Sequence, residues 1–374
     1  MQRRTFFQLP LAGAALSAAP RQDLPVYHGV TAFSKSGNFG MPGPYPGRVV
    51  NTHSARSIDD STGKPDPAVV AEMISRAMTT LTETKKSEDA WRRFFTAQDV
   101  VGIKVNCSGA PKVCSNPIVV GEIVKNLVAT GVKPTNIWIY ERFDDQLESV
   151  KYPQYVPEGV HVYAVEVPRR SIRNYDPRTY VEVDFFGEDD TRSNLVKLVS
   201  NTFSKIINVP NMKDHGASGV TGCLKNIAYG NYSNVARSHR SEKTNTLSFI
   251  GTLASLEPLR SKTVLHVMDG LMGVWHGGPF VRDARFVFYP KQVVVGTDPV
   301  AIDRQLIDII DDKRKAEGAV SVWNRDMKYV NARRPLDPNS NAFIREPGHI
   351  EFAGGLGLGV YDQKAIRVNK LEVA

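Results

Sequence analysis

Three segments of the chain share one grammar: Asp or Asn, then Pro, then apolar residues returning at helical spacing. They read KPDPAVVAEMISRAMTTL, SNPIVVGEIVKNLVATG and GTDPVAIDRQLIDIID. That spacing predicts helices with one buried face. The side chains of Asp66, Asn116 and Asp298 can accept from the free N–H groups of the first turn. Pro at the next position needs no N–H and already has helical φ. Between these helices run short apolar segments suited to buried strands: GRVVNTH, DVVGIKVN at 99–106, TNIWIYER and KQVVVG. Further strands are predicted near 159–165, 180–185, 204–209, 263–268 and 283–288, with a helix near 243–257. Strand, loop, helix and strand around Asn116 make a βαβ unit. The expected fold is α/β, with a mixed, largely parallel sheet and helices on both faces. Residues 166–194 are polar and aromatic with weak periodicity, an excursion or hairpin cap. Residues 324–349 are loop-like. No repeat interrupts the pattern, so one α/β domain is expected over 49–374, preceded by an arm over 20–48.

Composition changes this picture little. The chain has 374 residues, 41% hydrophobic and 23% charged, which is ordinary for a globular protein. Lys and Arg exceed Asp and Glu by 47 to 39, but acidic pairs such as Asp144-Asp145 and Asp311-Asp312 break up the basic charge. A nucleic-acid surface would gather it on one stripe, so no nucleic-acid partner is expected. The excess suits a small anionic molecule or a solvated face. The N-terminus adds more. MQRRTFFQLPLAGAALSAAP pairs Arg3-Arg4 with Phe6-Phe7 and continues with a short alanine-rich run in which Ser17 and Ala19 suit cleavage. This looks like a twin-arginine export signal over 1–19, although Pro20 leaves the cut position open. The expected location is periplasmic or extracellular, with the twin-arginine machinery as a partner. No run of about 18 apolar residues predicts a transmembrane segment. Cys107, Cys114 and Cys223 allow at most one disulfide, with Cys107–Cys114 as a short loop. The absence of C-x-x-C gives no support for an iron–sulfur cluster or a zinc knuckle.

Ligands of α/β sheets lie beyond the carboxyl ends of parallel strands. Four loops at such ends carry polar residues, and the richest is PNMKDHGASGVTGCLKN at 210–226. There Asn211, Lys213 and His215 alternate with Met212, Asp214 and Gly216. From Gly219 onward the residues can form a helix with Thr221 and Lys225 one turn apart. A glycine-rich loop entering a helix presents free N–H groups to an anion. Gathered lysines depress each other's pKa, which makes a base or an amine nucleophile. His215 can shuttle a proton or ligate a metal. The bland alternative is that the glycines permit a tight crossing and the lysines are solvated. A second loop supplies Lys104, Asn106 and Ser108. A third supplies Asp269, Trp275 and His276, with Asp269 a metal ligand, a base or a turn residue. The fourth holds Asp298, a helix cap or a second metal carboxylate, and Asp303. Glu141 and Arg142 end a strand as an internal pair, and His53 ends another. Walker, G-x-G-x-x-G and G-x-S-x-G patterns are absent.

Together these segments resemble the DUF362 family, a domain of unknown function, from about Val49 to Gly359. The resemblance is carried by VGIKVN at 101–106, IINVPNMKDHGASGVTGCLKN at 206–226, VMDGLMG at 267–273 and VVVGTDPVAID at 293–303. Its most specific positions are Pro210, Lys213, His215, Thr221, Lys225 and Asn226. Family members often carry appended ferredoxin-like cysteine clusters, which this chain lacks. The resemblance therefore implies where a site lies, not which reaction it performs. The expectation is an exported enzyme acting on a small anionic substrate. His215, Lys213 and Lys225 would be catalytic, Lys104, Asn106, Thr221 and Asn226 would bind the ligand, and Asp269 and Asp298 would hold a divalent metal. The alternatives are a non-catalytic periplasmic binding or accessory protein using the same cationic pocket, and a redox partner carrying a cofactor.

Overall fold

A computed structural model describes residues 24–240, 244–331, 333–334 and 336–374. The expected export signal at 1–19 lies outside these residues. In chain order the strands are β1 His28–Val30, β2 Arg48–His53, β3 Val101–Lys104, β4 Ile137–Phe143, β5 His161–Glu166, β6 Tyr175–Glu182, β7 Arg192–Val196, β8 Lys205–Asn208, β9 Asn211–His215, β10 Gly219–Thr221, β11 Thr263–Val274, β12 Val287–Phe288, β13 Gln292–Gly296 and β14 Arg367–Glu372. The main sheet runs β14-β2-β13-β11-β8-β3-β4-β5. Every neighbouring pair along it is parallel except the two that involve β13. One reversed strand in a parallel sheet is the mixed architecture that the apolar strands and intervening helices predict.

The Asp/Asn-Pro helices form as their local chemistry requires. Asp66 accepts from the Ala68 and Val69 amides at the start of helix Pro67–Thr82. Asn116 accepts from Ile118 for helix Pro117–Ala129, and Asp298 from Ala301 for helix Pro299–Ala316. Helices cover both faces, and alternate strand residues feed the two cores. Val293, Val295, Ile139 and Leu265 pack with the helices that start at Pro67 and Pro117. Val294, Tyr140 and Met268 pack with the helix that starts at Pro299. Helix Thr246–Ser255 lies inside the span predicted near 243–257.

Several boundaries differ from expectation. The polar excursion is a second, antiparallel sheet of order β1-β6-β7, completed by a strand from the N-terminal arm. The strand expected over 283–288 is a 3₁₀ turn, Ala284–Phe286, followed by the two residues of β12. Gly219–Thr221 is a strand, not the first turn of a helix. Helix Cys223–Tyr229 starts only after Gly222. The cause is a distant one. The Asp303 carboxylate accepts from the Cys223 and Leu224 amides at 2.6 and 2.9 Å, and a Cβ on Gly222 would lie 2.1 Å from Asp303 Oδ1. The amide groups expected to face an anion are thus occupied by Asp303. No helix of the described residues is long and apolar enough to cross a membrane.

Candidate functional site

The site grows from the β9–β10 hairpin. Lys213 lies opposite Thr221, Asp214 opposite Val220, and His215 opposite Gly219. Side chains alternate across a strand, so Lys213, His215 and Thr221 share one face, and Asp214 and Val220 share the other. On the second face Asp214 pairs with Arg345 and lies 3.7 Å from Arg314 Nη1. Arg314 in turn donates to His276 Nδ1 at 2.9 Å, and the Gly278 amide donates to Asp214 at 3.3 Å. This buried cluster ties the hairpin to the helix that starts at Pro299 and to two loops. A Cβ on Gly278 would sit 2.0 Å from the Asp214 carbonyl oxygen, so only glycine fits there.

The first face meets the carboxyl ends of β3, β4 and β8. Lys213 Nζ donates to Asn106 Oδ1 at 2.8 Å and to Ser108 Oγ at 3.3 Å. Asn106 Nδ2 donates to Asn226 Oδ1 at 3.1 Å, and Asn226 Nδ2 to Asn208 Oδ1 at 2.8 Å. Asn208 Nδ2 ends the chain at the Cys223 carbonyl and His266 Nδ1. Every amide in this line points the same way, so the dipoles reinforce one another and hold Lys213 in place. Burial pulls the Lys213 ammonium down to about 8. Lys104 behaves otherwise than an anion clamp: its ammonium donates to Glu141 at 2.8 Å, and both side chains are buried. Arg142 pairs with Glu166, not with its neighbour Glu141.

Lys225 is the exception among the buried cations. Its Nζ makes no hydrogen bond or ion pair among the described residues and lies 4.6 Å over the Tyr229 ring. Burial, then the charge of Arg142, pulls its pKa down to about 7. Around it stand His215, His239 and His349, each shifted down first by burial and further by the Lys225 charge. The His215 and His239 rings are 5.3 Å apart, and Tyr229 packs edge-on against His239. Thr221 Oγ1, His239 Nε2 and His349 Nε2 are buried with no hydrogen-bond partner among the described residues. Buried polar atoms are ordinarily satisfied, so three orphans in the same part of the fold as one unpaired lysine are unusual.

His215 differs from the proton shuttle expected of it. Its Nδ1 accepts from the Ala217 and Ser218 amides at 3.1 and 3.3 Å, which fixes the proton on Nε2. It offers a neutral N–H donor. The carboxylates expected to hold a metal are also engaged. Asp269 accepts from the Asn116 and Leu271 amides at 2.7 and 3.0 Å, and burial pushes its pKa up to about 6. Asp298 accepts from the amides of Gly47, Ala301 and Val360. A Cβ on Gly359 would lie 1.8 Å from the same carboxylate. No group of three or more His, Cys, Asp or Glu side chains among the described residues is spaced to hold a metal ion. The three cysteines are free and buried. His53 pairs with Glu372 at 2.8 Å, half-exposed and apart from this cluster.

Lys213, Asn106 and Asn226 therefore meet in one network, and Lys225, His215 and Thr221 border it. Asn208, which ends an apolar strand as Asn106 does, was within reach of the same sequence pattern. His239, His349 and Arg345 lie in segments without periodicity, and no local signal marks them.

The family model described as a domain of unknown function (DUF362) matches residues 101–308, more than half of the chain; of the clustered side chains described above, Arg314, Arg345 and His349 lie beyond it. No curated protein matches the chain. Among solved structures, a Thermotoga maritima protein aligns at 8% identity with a TM-score of 0.41. The alignment covers 68% of this chain and 59% of that protein.

Proposed function

The chain belongs to the DUF362 family, a domain of unknown function, and we propose from its own side chains that it is an enzyme acting on a small anionic substrate. The observation that carries this is Lys225, buried and without a counter-ion among the described residues. An unpaired buried cation is costly, and a bound anion removes that cost. With a pKa of about 7, Lys225 can take up and release a proton near neutrality. His215 supplies a neutral Nε2–H toward negative charge that develops on the substrate. Lys213, held by Asn106 and Ser108, adds a second cation from the hairpin face that carries His215. Thr221 and Asn226 orient the ligand. Asp269 and Asp298 already accept two and three backbone hydrogen bonds, and the proposed chemistry rests on the lysine instead of on a metal. The Arg3-Arg4 pattern supports export by the twin-arginine route and a substrate met outside the cytoplasm.

Calorimetric titration of a panel of small carboxylates and phosphate into the wild type and Lys225→Met tests the site. Binding lost in a variant that still melts cooperatively is the expected result. Equal binding by both proteins would remove Lys225 from the site. A ligand that binds and is recovered chemically unchanged by NMR would make this a binding protein using the same pocket.

A further inference from the structure

Resting on the anion site proposed above, we infer that its ligand is a small anion that also donates a hydrogen bond, a hydroxylated carboxylate as opposed to an acceptor-only oxyanion. The inference follows from the proton positions on three imidazoles. A neutral imidazole carries one donor and one acceptor nitrogen, and the partner of one nitrogen fixes the other. His215 Nδ1 faces two backbone N–H groups, so Nε2 is the donor. His349 Nδ1 lies 2.9 Å from the Glu346 carbonyl oxygen, and the Ser218 backbone also lies beside the ring; the close Glu346 contact places the proton on Nδ1, and Nε2 makes no hydrogen bond among the described residues. His239 Nδ1 lies 3.3 Å from both the Ala236 carbonyl oxygen and the Ser238 hydroxyl; because that hydroxyl donates to the Val235 carbonyl at 2.9 Å, it too acts as an acceptor and Nδ1 holds the proton. Both bare Nε2 atoms are buried and unpartnered among the described residues, as is Thr221 Oγ1.

The ligand therefore meets two donors, Lys225 Nζ and His215 Nε2, and two acceptors, His239 Nε2 and His349 Nε2. Thr221 can serve either way. An anion that only accepts satisfies the donors but sets its oxygens against two lone pairs. A hydroxyl beside the carboxylate supplies the missing proton. Protonating the imidazoles is no alternative route, because burial and the Lys225 charge hold His239 down to about 3 and His349 down to about 4.

Matched pairs that differ by one hydroxyl test this directly: acetate against glycolate, and propanoate against lactate, titrated calorimetrically at pH 8. The wild type should bind the hydroxylated member at least about tenfold more tightly, the effect of one buried hydrogen-bonding group left unpaired. His349→Asn and His239→Asn keep a donor near the Nδ1 position and delete the Nε2 acceptor. Each should lower the ratio while acetate still binds, and binds more tightly once one lone pair facing its oxygens is gone, an outcome that a merely unfolded variant cannot produce. Equal affinity within each pair in the wild type overturns the ligand class and leaves the anion site standing. No binding by any member overturns both.

Discussion

Lys225 shows how a residue's chemistry depends on what it lacks. Lys104 and Lys213 are equally buried, yet one has a carboxylate and the other a pair of oxygen acceptors. Lys225 has neither, and its pKa falls to about 7. At pH 8 most free protein carries a neutral Lys225, and an adjacent anion favours the ammonium. Anion binding at pH 8 should therefore take up close to one proton. Calorimetry in buffers of differing ionisation enthalpy reads that number, and Lys225→Met should reduce it to near zero. Proton release on binding would contradict this. The alternation of Lys213 and His215 was legible in the sequence, because period two is a local property. The engagement of Lys104 was not, because Glu141 reaches it from a neighbouring strand. Nor was the tautomer of His215, which two backbone amides set.

At the scale of elements, the helices starting at Pro67, Pro117 and Pro299 were readable because cap, proline and apolar face lie within one turn of each other. Replacing Asp66 by Ala removes acceptors for two amides and should cost about 1 kcal/mol in urea denaturation. Helix Cys223–Tyr229 is the opposite case. Its first two amides are capped by Asp303, brought by another helix, and Gly222 leaves room for that carboxylate. Gly222→Ala should cost about 1–3 kcal/mol by overpacking. It should also shift the helix that carries Lys225, so anion affinity should fall with stability. A Gly222→Ala protein as stable as the wild type would show that Asp303 can retreat without loss. The second sheet escaped sequence reading for a similar reason: β1 comes from the N-terminal arm, nearly 150 residues before its partner β6.

Over the whole molecule, the buried histidines dominate the response to acid. His215 sits well below its ordinary 6.5, His239 and His266 fall to about 3, and His276 and His349 to about 4, all by burial first. The folded state binds fewer protons at these sites than the unfolded chain, so stability rises with pH from about 3 to about 6.5 and is lost on acidification. Asp269 and Asp303, raised to about 6 and about 7, work in the opposite direction, because the folded state binds more protons there. Burial raises Asp298 as well, and five sites against three leave the histidines in control. The melting temperature should drop between pH 7 and pH 4.5, and a rise over that interval would refute the balance. The sequence by itself determined the α/β pattern, the starts of the long helices and the loop that holds the site, since each rests on neighbours within a few residues. Only the tertiary structure decided which lysine stays unpaired, which nitrogen of each histidine holds the proton, and which carboxylates are already engaged. Those properties depend on burial and on partners far away in the chain, and no local spacing encodes them.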